Sequence, residues 1–61
     1  MRDPNRIRRL LSLIQRVWEK YPDLRLGQLL IVTGAFSAGD NFYVEDNVVE
    51  EALLNAEKWE L

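Results

Sequence analysis

The chain has 61 residues, a net charge of −2, and neither cysteine nor histidine. That length admits one domain, and the missing residue types exclude disulfides, the usual zinc sites and Ser/His or Cys/His nucleophilic pairs. With 48% hydrophobic and 30% charged residues, the composition is that of a globular domain rather than a disordered chain.

A chain of this size buries only about 60% of the surface its unfolded form exposes. Small domains compensate with disulfides, metals or oligomerisation, and here the residue content leaves oligomerisation. Charge is unevenly distributed. Residues 1–30 hold seven bases and three acids, +4, whereas residues 31–61 hold one base and seven acids, −6. In one compact domain such halves pair with each other. Arg8 and Arg9 interrupt any apolar run before it reaches signal-peptide length, and nothing approaches the ~18 apolar residues of a membrane span. The expected location is the cytoplasm, with no membrane association.

Asp3-Pro4 reads as a helix start, with aspartate at the N-cap and proline at the first helical position. Ile7, Leu10, Leu11, Ile14, Val17, Trp18 and Tyr21 then recur at three- and four-residue steps, which predicts an amphipathic helix over about 4–21. Pro22 ends it. Arg6, Arg9, Arg16 and Lys20 form a basic stripe on the other side, with Leu13 among them.

Asp23 reads as the N-cap of a second helix, over about 24–35. Leu24, Leu26, Leu29, Leu30, Ile31 and Val32 leave it almost no polar side, interrupted only by Arg25, Gln28 and Thr33. A helix apolar nearly all round is buried on more than one side, and a chain this short lacks the flanking mass to cover it. Gly27 and Gly34 share a face. Gly27 suits the close approach of another backbone, and Gly34 suits a helix end.

Ser37 to Asn41 is loop by composition. Phe42-Tyr43-Val44 reads as a short extended clip packed back over the core. Glu45, Asp46 and Asn47 start a third helix, over about 46–59. Its inward stripe is Val48, Val49, Ala52, Leu53, Ala56 and Trp59. Glu50, Leu54 and Glu57 lie outside that stripe and mirror Arg9, Leu13 and Arg16 with opposite charge. This complementarity predicts a symmetric dimer in which helix one of one copy meets helix three of the other. The alternative is that the two helices neighbour each other inside one chain.

Catalytic chemistry is not indicated. Ser12 and Ser37 have no evident base. Asp40, Glu45 and Asp46 do not match a calcium loop, whose third and fifth positions counted from Asp40 are Phe42 and Val44. No glycine-rich phosphate loop occurs. The expectation is a non-enzymatic protein with no cofactor and no metal. Nucleic-acid binding is the alternative function, since three short helices can build a helix-turn-helix. Against it stand a greasy second helix, an acidic third one and a sequence pI of 4.9.

The run Pro22-Asp23-Leu24-Arg25-Leu26-Gly27-Gln28-Leu29-Leu30, with Trp18 before it and Phe42-Tyr43-Val44-Glu45-Asp46 after it, resembles a group of very small uncharacterised proteins of bacteria and their phages. The likeness spans about Ile7 to Leu54, and the connection from Ile31 to Asn41 is longer than in that group. The resemblance implies a compact helical domain of bacterial or phage origin and supplies no activity. It also implies that Asp23, Arg25, Gln28, Glu45 and Asp46 form one polar network, with Arg25 pairing to Glu45 or Asp46. The overall expectation is an all-α, three-helix, self-associating module that acts by protein–protein interaction, as an adaptor, a regulator or a phage-type inhibitor of a host protein.

Overall fold

The structure, a computed structural model, describes residues 3–59. It contains three helices, α1 (Asn5–Lys20), α2 (Leu26–Val32) and α3 (Asp46–Glu57), and no strand among the described residues. The all-α, three-helix expectation is met.

α1 starts as its sequence dictates. Pro4 has helical φ and ψ of −65° and −15°, and the Asn5 backbone N–H donates to Asp3 Oδ1 at 2.9 Å. The aspartate thereby satisfies one of the donors that a helix start leaves open. At the other end Tyr21 leaves the helical region ahead of Pro22, and the Trp18 indole N–H donates to the Leu24 carbonyl at 2.7 Å. That bond ties the reversal after α1 back onto its last turns.

α1 and α3 make the one extensive helix–helix contact among the described residues. Three ion pairs join them: Arg6 with Asp46, Arg9 with Glu50 and Arg16 with Glu57. Their sequence separations are 40, 41 and 41, and a nearly constant offset means that the two helices run parallel. Lys20 Nζ donates to the Glu57 carbonyl and, at 3.5 Å, to the Trp59 carbonyl, closing the far end. Residues 21–45 must therefore carry the chain back to the starting end, and this return leg holds α2.

Beneath the ladder lies a small core of Leu13, Val17, Leu29, Leu53 and Ala56, flanked by Ile14, Trp18, Tyr21, Leu24 and Val49. Leu13 is only 2% exposed. This corrects the reading of Arg9, Leu13 and Arg16 as an outer face. The buried side of α1 is shifted toward the arginines: Leu13 joins Val17 in the core, Ile14, Trp18 and Tyr21 stay packed against it, and Arg9 and Arg16 flank Leu13 and reach α3. Ile7 and Leu11, placed in the core by periodicity, are instead 50% and 61% exposed.

α2 is shorter than expected, seven residues. Its N-cap is Arg25, not Asp23, and the Arg25 backbone N–H donates to Gln28 Oε1 at 2.8 Å. Gln28 thus reaches back over the first turn as the N3 residue of a capping box does. The helix stops at Gly34, whose φ of +85° is left-handed. Gly34 N–H donates to the Ile31 carbonyl, and Phe36 N–H to the Leu30 carbonyl at 2.9 Å. Thr33, buried, hydrogen-bonds the same Leu30 carbonyl through its hydroxyl.

Candidate interaction surface

The return leg carries five of the ten exposed large apolar side chains among the described residues, the two most exposed included. In α2 only Leu29 is fully buried, and Leu26, Ile31 and Val32 are 42%, 44% and 56% exposed. Gly27 points into open space, with nothing within 4 Å of where a Cβ would sit. Gly27 and Ile31, one helical turn apart, lie opposite Leu29 and form the outward ridge. The helix expected to be too apolar for its own chain to cover is left partly uncovered, with Leu26, Ile31 and Val32 exposed at different positions around it.

At the end of the leg the expected clip proves to be a turn. Val44 N–H donates to the Asn41 carbonyl at 3.2 Å. Phe42 and Tyr43 occupy its tip, 82% and 83% exposed, so they do not pack over the core. Their rings meet edge to face, with centroids 4.9 Å apart, as paired aromatic quadrupoles prefer. The turn is braced. Asn41 Oδ1 accepts from Ser37 N–H, its amide donates to the carbonyls of Ser37 and Gly39, and Asp40 Oδ1 accepts from Phe42 N–H. These are side-chain-to-backbone bonds of the kind Asn and Asp favour in turns. Asp40 and Asn41, immediately before two aromatic residues, were the available sign of a projecting turn.

At the opposite end of the molecule lies an apolar hollow of about 450 Å³. Leu24, Leu29, Val32 and Thr33 line it, with Tyr21 and Trp59 as aromatic walls. The two rings stand 6.3 Å apart at 59°. Lys20, Pro22 and Asp23 complete the lining. A second, shallower apolar depression of about 530 Å³ runs along α1 between Leu11, Ile14, Trp18 and Pro22.

The remaining candidate residues fall elsewhere. Arg9, Arg16, Glu50 and Glu57 bond within the chain, which replaces the exchange between copies expected for them. The reason is that parallel α1 and α3 place the complementary charges side by side, with Leu53 rather than Leu54 against the core. Leu54 stays 43% exposed beside the ladder. The single network of Asp23, Arg25, Gln28, Glu45 and Asp46 is not assembled. Arg25 and Gln28 join at the start of α2, Asp46 pairs with Arg6 of α1, and Asp23 lies exposed in the turn after Pro22. Glu45 is the N-cap residue of α3, and its carbonyl accepts from the Val48 and Val49 N–H groups. The helix lengths explain the split: α2 starts at the far end of the molecule and α3 at the near end.

Among the described residues no cluster of three or more carboxylates is placed to hold a metal ion, and no helix is long and apolar enough to cross a membrane. No protein-family model matches this chain, and no curated protein or solved structure matches it at a significant level.

Proposed function

We propose that this chain is a small non-enzymatic protein–protein interaction module that associates with itself. In this reading it works in the cytoplasm of a bacterium or of a phage-infected cell, as an adaptor, a regulator or an inhibitor of a host protein. The observation that carries it is the set of exposed apolar side chains on the return leg: Leu26, Ile31, Val32, Phe42 and Tyr43 on a 61-residue chain. An apolar surface of that extent on so small a body is the usual mark of an interface. The resemblance to small bacterial and phage proteins supports the setting. Phosphate recognition draws little support, because Arg6, Arg9 and Arg16 are held by α3 carboxylates and a nucleic-acid surface needs such cations outward.

Light scattering over a hundredfold range of concentration tests the proposal. A mass that rises from monomer to dimer, and stays monomeric in Val32→Glu, supports it. A monomer throughout contradicts it.

A further inference from the structure

Resting on the self-association proposed above, we infer how the two copies meet: they pair antiparallel through their return legs, each seating its Phe42–Tyr43 turn in the other's hollow between Tyr21, Leu24, Val32 and Trp59. Both halves of the joint are present in one chain. The protruding half is a hydrogen-bonded turn that holds two rings in a fixed edge-to-face pair. The receiving half is an apolar hollow with two aromatic walls.

Their placement suits a two-fold pair. The ion-pair ladder runs α1 and α3 in the same direction. The aromatic turn, three residues before α3, therefore lies at the starting end of both helices. The hollow, bounded by Lys20, Tyr21 and Trp59, lies at their finishing end. Twelve helical residues separate the two ends, a rise of about 18 Å. Two copies laid side by side in opposite directions bring each turn to the other's hollow, and the joint closes upon itself. The Gly27–Ile31 ridge lies on the side of α2 away from Leu29 and the hollow, and stays outside this joint.

The area agrees. An aromatic side chain buries roughly 150–250 Å² when covered. Four rings that are 82–83% exposed, with the matching walls, would remove roughly 1,000–1,600 Å² from water, against the ~1,200–2,000 Å² of a stable interface. A foreign partner has no such second half on the page, whereas a second copy brings both.

The test places the photo-crosslinker p-benzoylphenylalanine at Tyr43, which keeps an aromatic ring at the tip, and maps the adduct by mass spectrometry. The result expected is a light-dependent dimer whose adduct falls within residues 20–33 or on Trp59. In parallel, Phe42→Ala should weaken dimerisation at least tenfold while leaving the helical circular dichroism unchanged, because the ring touches no core residue. An adduct within Leu11–Glu19 or on α3 overturns the inference. So does a dimer of unchanged affinity in Phe42→Ala, or a ladder of higher oligomers in place of a closed pair. In those cases the wild type still associates, and the reading of the chain as a self-associating module stands. A wild type monomeric at every concentration removes both.

Discussion

Arg16 of α1 and Glu57 of α3 bond to each other inside one chain, at the far end of a ladder that begins with Arg6 and Asp46. The pair fixes which way round α3 lies. The partners are partly exposed, 53% and 31% for this pair, and such pairs contribute about 0.2–1 kcal/mol each. The ladder therefore selects the parallel register, while the stability comes from the leucines beneath it.

That division of labour makes a first prediction. Arg16→Glu should destabilise the fold by about 0.5–1 kcal/mol through like-charge repulsion, and Arg16→Glu with Glu57→Arg should recover most of the loss. Urea unfolding checks it at two protein concentrations. A loss that grows on dilution would place the pair between copies instead of within one.

Leu13 and Leu11 supply a second. Leu13→Ala empties a fully enclosed site and should cost about 2–4 kcal/mol, enough to unfold much of a domain this small. Leu11→Ala, at a side chain 61% exposed, should stay within about 0.5 kcal/mol. Thermal melts of the two variants measure directly which side of α1 is buried. Equal losses would return Leu11 to the core.

How much of this was legible in the sequence depends on what each signal encodes. Asp3-Pro4 and Pro22 act on their own backbone, so the limits of α1 could be read within a residue or two. The opposite charges of Arg9, Arg16, Glu50 and Glu57 were legible as complementary. A pattern of complementarity, however, is identical whether the two helices belong to one chain or to two. The choice depends on α3 running parallel to α1, which no local signal states. Leu13 was misplaced for the same reason: seven apolar residues outvoted it in the periodicity, yet the ladder turns α1 toward α3. Phe42 and Tyr43 were read as core because they are apolar, although Asp40 and Asn41 form the hydrogen bonds that hold them outward.

Gly27 in α2 and Gly34 just past its end give a third prediction, with opposite signs. Gly34→Ala meets no atom within 4 Å, so its cost is conformational: about 1–2 kcal/mol for a left-handed alanine at φ +85°. Gly27→Ala, helical and equally unobstructed, should stabilise the monomer by about 0.5–1 kcal/mol. Gly27 faces away from the proposed joint, so the same change should leave self-association unaltered. Unfolding and self-association are measured on the same two samples.

Trp18 carries a fourth. Its indole bond to the Leu24 carbonyl anchors the start of the return leg, and α2 is otherwise held by Leu29 in the core. Trp18→Phe should cost about 1–2 kcal/mol. It should also speed amide exchange in residues 26–33 more than in α1 or α3. Uniform acceleration across the three helices would show that the bond has no special hold on α2.

The account turns on whether exposed apolar side chains of the return leg are covered by a second copy. Amide NMR spectra recorded during dilution from millimolar to low micromolar concentration resolve that residue by residue. The account predicts concentration-dependent shifts at Tyr21, Leu24, Val32, Phe42 and Tyr43, with Ser12 and Glu51 unmoved. Spectra that superimpose at every concentration would contradict it.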